Sequence, residues 1–216
     1  IPVIAVDGPG GSGKGTITTR LAAHLGWHFL DSGALYRLTA LAVHKHGVSA
    51  DDEVALGEVA AGLDIRFETD GDYARAFLDD EDVSDGIRQE AIGVLASKIS
   101  AVPAVRSALA GRQRQFRQPP GLVADGRDMG TVIFPDAQLK IFLTASAEIR
   151  AERRYKQLKD KGESVNLTRL FREIKARDLR DQSRSIAPLR PAEDAVIIDS
   201  SDLSIEEVFR KVVSLI

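Results

Sequence analysis

The sequence has no cysteine, which excludes disulfides and thiolate metal centres and suits a reducing compartment. It has no apolar run long enough to span a bilayer and no signal-peptide pattern. Neither charge dominates: 29 Lys and Arg face 32 Asp and Glu, so no overall field draws the chain to a nucleic-acid polymer or an anionic membrane. Any anion it binds must be met by local clusters. Internal repeats and low-complexity tracts are missing, which argues against a solenoid. The histidine pairs His24/His28 and His44/His46 have no third ligand nearby, so metal binding by them is not expected. The chain starts at Ile1 without a methionine, and native residues are expected to precede it. A soluble, cytoplasmic monomer that works on small molecules is the expectation these absences leave.

What is present fits one domain with insertions. The 216 residues can bury a sizeable core, and 44% hydrophobic with 28% charged residues leaves no room for long disorder. The apolar run Val3-Ile4-Ala5-Val6-Asp7 leads into Gly8-Pro9-Gly10-Gly11-Ser12-Gly13-Lys14-Gly15-Thr16, and Ile17 to Leu25 carries apolar residues at helical spacing. Strand, glycine-rich turn and helix in that order predict a phosphate-binding loop. Its glycines let backbone N–H groups turn inward, the helix adds its positive end, and Lys14 reaches the outer phosphates of a triphosphate. A ligand-free turn is the competing reading, but the four glycines before Lys14 cost conformational entropy unless backbone must approach something closely. The Ser or Thr usual after the lysine is Gly15 here, with the hydroxyl at Thr16. A metal would then be held mainly by phosphates and water.

Further on, a strand over residues 27–30 ends at Asp31, with Ser32 expected as the cap of a helix to about His46. Ser49 is expected to start a short helix ending at Gly62. Around residues 64–83 the pattern changes to a hairpin with its turn at Asp70-Gly71-Asp72, an insert in the α/β alternation. Helices are predicted over about 87–99 and 103–116, then strands at 122–125 and 139–143. Helices over 147–159 and 167–181 follow, joined by Lys161-Gly162-Glu163, then a buried strand at 195–198 and a last helix opened by a Ser204/Glu207 capping box. Alternation of this kind implies an α/β fold, a mostly parallel sheet with helices on both faces and ligands at the strands' carboxyl ends.

Those strand ends carry Arg37, Arg127 and Asp128, and a late helical stretch carries Arg177, Arg180 and Arg184 at i, i+3 and i+7 with Asp178 and Asp181 between them. The late stretch alone could be a solvated face of surface pairs; beside a phosphate loop it is better read as a cationic clamp. Three functions remain open on the residues alone: a kinase for a nucleoside monophosphate, a kinase for another small acceptor, and a nucleotide-driven switch. Against the switch, no N-K-x-D guanine reader is present.

The segments GPGGSGKGT, DSGALYR, ADGRDMGTVIFP and RDLRDQSRSIAPL give the chain, from first strand to last helix, a close resemblance to bacterial-type cytidylate (CMP) kinases, which are P-loop nucleoside monophosphate kinases. The resemblance implies one kinase domain over 1–216, with a monophosphate-binding and insert region at about 32–100 and a lid at about 150–165. It implies phosphoryl transfer from ATP, with Mg2+, to CMP or dCMP. ATP would lie on Gly8, Pro9, Gly10, Gly11, Ser12, Gly13, Lys14, Gly15 and Thr16, with Arg150 and Arg154 on the lid above it. Arg37, Arg127 and Arg184 would grip the CMP phosphate, with Lys14, Arg127 and Arg184 as the catalytic cations. Ser97, Arg106 and Asp128 would read cytosine with Ser32 against the base, while Tyr36, Arg177 and Asp181 would hold the ribose. Asp125 resembles the carboxylate that orients a water of the metal. Arginine suits the clamp because its planar fork binds phosphate bidentately and stays charged.

Overall fold

The computed structural model describes residues 1–70, 73–160 and 162–216; the turn residues Gly71 and Asp72 and the connector residue Lys161 lie outside it. Its centre is a five-stranded, wholly parallel sheet in the order β2-β6-β1-β7-β8. The strands are β1 (Val3–Asp7), β2 (His28–Asp31), β6 (Leu122–Gly126), β7 (Leu139–Thr144) and β8 (Val196–Asp199). β1 is buried along its whole length because it is covered on both sides. Ile4 and Val6 face Ile17 and Leu21 of α1 (Lys14–Leu25) and Val208 and Val212 of α8 (Ile205–Val213). Val3 and Ala5 face Leu35 of α2 (Ser32–Lys45), together with Met129 and Phe134 of the turn after β6. A near-continuous apolar strand is what a doubly covered parallel sheet requires.

A second core sits beyond α2. Leu38 and Leu41 of that helix pack with Leu56 of α3 (Glu53–Gly62), Ile92 and Ile99 of α4 (Glu90–Ile99) and Leu109 of α5 (Pro103–Gln115). The insert closes this core as a meander of three antiparallel strands, β3 (Ile65–Asp70), β4 (Tyr73–Leu78) and β5 (Glu81–Asp82), one strand more than the hairpin expected. On the other side of the sheet's carboxyl end, α6 (Ala147–Asp160) and α7 (Leu167–Gln182) form an antiparallel pair.

Several boundaries differ from the sequence reading for identifiable reasons. Asp31, not Ser32, caps α2, its Oδ1 accepting from Ala34 N at 2.8 Å, so Ser32 begins the helix and faces inward. Asp52 caps α3 in the same way (3.0 Å to Ala55 N), and Ser49 only supports the turn before it. In both cases a carboxylate stands where the helix starts and out-competes the hydroxyl nearby. The helix expected from Ile87 is a 3₁₀ turn at Gly86–Arg88 and then α4; Gln89 between them is extended, and the Ile87 carbonyl accepts from Arg37 Nη1 at 2.7 Å. Strand β8 is not buried: it is the sheet's edge, with Val196 38% and Ile197 61% exposed and only Ile198 turned inward. No single helix among the described residues is long and apolar enough to cross a membrane.

Candidate active site

Three loops at the carboxyl end of the sheet build the site. The first leaves β1. Gly8, at φ 149°, runs so close to β7 that a Cβ there would lie 2.0 Å from the Leu143 carbonyl oxygen, so no other residue can open the turn. Gly13 at φ 95° closes it and hands the chain to α1. With N–H groups turned inward, the loop's carbonyls point outward and need donors of their own. They have them: Lys14 Nζ donates to Pro9 O (2.9 Å), Arg150 Nη1 to Gly10 O (3.1 Å), and Ser200 Oγ to Ser12 O (3.1 Å), where Arg153 adds a long contact at 3.5 Å. Lys14 is buried, and burial pulls its pKa down against the opposing pull of the Asp125 carboxylate 4.0 Å away. Asp125, at the end of β6, is pushed up to about 7 by burial, with Lys14 working the other way. Thr18 Oγ1 donates to Lys14 O at 2.9 Å and reaches Asp125 at 3.4 Å.

The second loop follows β6 as a single π-type turn, Met129–Ile133. Asp7, the last residue of β1, accepts from the backbone N–H groups of Met129 and Gly130, both at 2.8 Å, and so fixes the turn that presents Arg127 and Asp128. Burial pushes Asp7 up to about 6.

The third component is α7 and the segment after it. Asp181, 1% exposed, is the hub: Arg127 Nε lies 2.6 Å from its Oδ2, Arg184 Nη2 2.6 Å from its Oδ1, and Arg177 Nε 4.0 Å away. The Arg177 Nε is buried without a hydrogen bond, and the neighbouring Arg127 charge, followed by burial, brings its pKa down to about 10. Arg184 lies past the end of α7 and donates from Nη2 to Ser100 Oγ at 3.0 Å; the i, i+3, i+7 face is therefore broken, and Arg180 points to solvent.

Ser32, Tyr36, Arg37, Ser97, Arg106, Arg127, Asp128, Arg177 and Arg184 line one cleft, and Asp181 is buried against Arg127 and Arg184 of that lining. Arg106 and Asp128 are paired inside it, and Arg106 also donates to Ser100 O at 3.2 Å. Five arginines thus crowd around Asp128 and Asp181, with Asp31 acting on Arg37, and such a concentration of guanidiniums suits an anionic ligand. Burial lowers the pKa of Arg37 and of Arg184 and raises the Tyr36 hydroxyl to about 12.

The lid pair divides. Arg154 is exposed on α6 and its charge is felt at Arg37. Arg150 is 4% exposed, donates to the Gly10 carbonyl of the loop, and is held bidentately by Asp178. Its three polar partners outbid solvent for the guanidinium. Sequence reasoning assigned no role to Asp7, Asp178, Arg153 or Ser200; for Asp7 the signal was a carboxylate ending an otherwise apolar strand.

A glycine-rich loop between the first strand and a helix, beside a cluster of arginines at the carboxyl end of a parallel sheet, defines a P-loop kinase, a phosphotransferase. The comparisons narrow the class. The cytidylate kinase family model matches residues 4–216, and the chain belongs to that family. Among its relatives, the cytidylate kinase of Methylococcus capsulatus is 59% identical over 216 residues, covering 100% of this chain and 97% of the relative. That of Aeromonas salmonicida is 57% identical over 213 residues, covering 99% and 93%.

Proposed function

We propose that this chain transfers the γ-phosphoryl group of ATP to CMP, and to dCMP, giving CDP or dCDP and ADP. The observation that carries the reading is the cleft in which Asp128, paired to Arg106, stands beside the arginines gathered on Asp181, with Arg127 and Arg177 next to Gly10 of the glycine loop. A carboxylate there accepts from the exocyclic amine of cytosine, where uracil would present a carbonyl and leave it unpaired, a mismatch more costly than a missing methylene. Arg37, Arg127 and Arg184 take the monophosphate, Tyr36, Arg177 and Asp181 the sugar, and Ser32 and Ser97 the base. The region 32–100 carries this acceptor half.

An oxygen of the CMP phosphate attacks the γ-phosphorus in line as the bond to the ADP oxygen breaks. The attacking group is already an anion, so no strong general base is needed, and positioning and charge neutralisation dominate. Lys14 follows the transferring group from the donor side, and Arg127 and Arg184 from the acceptor side. The donor phosphates lie on the backbone of residues 8–16, while Arg154 and the connector near residue 162 form the lid that excludes water.

The donor set fits Mg2+ brought in with ATP. Asp125 lies beside the loop, 4.0 Å from Lys14 Nζ, and no group of three His, Cys, Asp or Glu among the described residues could cage an ion. Mg2+ keeps its waters and binds through one or two carboxylates and substrate phosphates. Bound there, it would neutralise charge on the transferring phosphates, with Asp125 orienting one of its waters. Diffusible nucleotide substrates suit a cytoplasmic monomer.

A coupled ADP-release assay across AMP, GMP, UMP, CMP and dCMP tests the reading. Turnover should require CMP or dCMP; acceptor-independent hydrolysis, or preference for another monophosphate, overturns it.

A further inference from the structure

Donor loop and acceptor clamp touch at Gly10. On the inner side, a Cβ built there would lie 3.4 Å from Arg127 Nη2 and 3.6 Å from Arg177 Nη1. On the outer side, its carbonyl accepts from Arg150 Nη1 at 3.1 Å, and Arg150 Nε is anchored on Ala145 O at 2.9 Å. Asp178 holds the same guanidinium through two parallel bonds, at 3.0 and 2.5 Å. Asp178 follows Arg177 directly on α7, and consecutive helical residues project about 100° apart. One helix thus presents Arg177 to the acceptor cleft and Asp178 to the brace behind the donor loop. A turn of α7 about its axis that moves Arg177 also pulls on Arg150 and, through it, on Gly10.

We propose that Arg150 and Asp178 are positioning residues that couple occupancy of the donor loop to the geometry of the acceptor clamp. The inference rests on the CMP reading and adds how the two halves of the site communicate. Phosphates on the loop's N–H groups fix the Gly10 peptide; Arg150 follows its carbonyl, Asp178 follows Arg150, and α7 sets Arg177 over the acceptor. Linkage requires the reverse effect to be equal: CMP must tighten the nucleotide on the loop by the same factor.

The test is a set of calorimetric titrations on the whole chain. CMP is titrated with and without a non-hydrolysable ATP analogue and Mg2+, then the analogue with and without CMP. In the wild type each ligand should tighten the other about fivefold or more, equally in both directions. Asp178→Asn keeps the shape of the pair but gives up its charge and one of its acceptors. It should bind each ligand alone within about twofold of wild type, bring the coupling factor close to one, and so raise each KM at saturating co-substrate by about the lost factor while kcat falls about tenfold. Arg150→Lys, which cannot span Gly10, Ala145 and Asp178 together, should do the same, and it carries the test if Asp178→Asn fails to fold. A coupling factor of one in the wild type, or wild-type coupling in the variants, overturns the proposal. So does the unfolding of both variants, which would make the pair an element of the fold alone. Failure of the wild type to bind CMP at all is a different result, and it removes the acceptor reading itself.

Discussion

Asp181→Asn asks how much of the acceptor cleft's order depends on one carboxylate. The substitution keeps a side-chain oxygen in place and removes only the charge. In the wild type that charge faces Arg127 and Arg184 at 2.6 Å and Arg177 at 4.0 Å, with the carboxylate 1% exposed. Removing one partner from a buried ion pair costs about 3–5 kcal/mol because the other charge is left uncompensated. Here the arginines border a cleft that water enters, and Arg177 is 37% exposed, so the lower end, about 3 kcal/mol, applies. For a chain of this size each kcal/mol moves Tm by roughly 2–4 °C, which gives a drop of about 6–12 °C by calorimetry. Inorganic phosphate supplies the second arm. A ligand that binds only the folded state stabilises it according to its concentration relative to Kd, and in the variant the guanidiniums have no internal competitor for the anion. Phosphate should therefore raise the variant's Tm several degrees more than the wild type's, while sodium chloride at equal ionic strength does not. A variant melting within about 2 °C of wild type, or an equal rise in both proteins with phosphate, would refute the account of Asp181 as the counter-charge of the clamp.

Lys14→Ala should lower kcat by roughly 10²–10³ while CMP affinity stays put, since one preorganised charge-stabilising donor is lost; stopped-flow turnover near wild type would deny Lys14 that role. Arg127→Ala should raise KM for CMP at least tenfold and leave ATP affinity within about threefold, and equal losses for both ligands would mean that the residue supports the fold instead. Burial raises the Asp7 carboxyl to about 6 from 3.8, so the folded chain favours its protonated form. The resulting stability is complete below about pH 4 and is lost as pH rises through about 6, on the order of 3 kcal/mol. Asp7→Asn cannot titrate, so the Tm advantage of the wild type over it should shrink between pH 4 and 7; a gap independent of pH contradicts the assignment.

Much of the architecture was legible because local and global signals agree. Apolar runs such as 3–6 and 122–124 can be buried only in a covered sheet, and the glycines at 8 and 13 mark backbone that no other residue could follow. The acceptor residues were recognised from motifs rather than from periodicity, and the structure gathers nearly all of them in one cleft. What sequence could not give is competition between partners. Asp31 and Ser32 are both good caps, and only the path of β2 into α2 decides that Asp31 reaches Ala34. Residues 195–198 read as a core strand because composition does not reveal which strand is last in the order. The spacing of Arg150 and Arg154 shows nothing of Asp178, twenty-eight positions on, which holds the Arg150 guanidinium against Gly10. Asp7 stands out as a carboxylate ending an apolar strand, but its partners are the main-chain N–H groups of Met129 and Gly130, which no side-chain pattern reveals.

The strand order has a consequence for specificity. The glycine-rich loop and the helix that carries Arg37 leave β1 and β2, which are separated by β6 alone. Neighbouring strands stand about 4.8 Å apart, so the sheet acts as a gauge block of roughly 10 Å between the roots of these two segments. A ladder of main-chain bonds keeps that gauge, independent of any side chain in the cleft. Selection can therefore rework the walls to admit a different base or sugar while the span across which the phosphoryl group must pass stays the same.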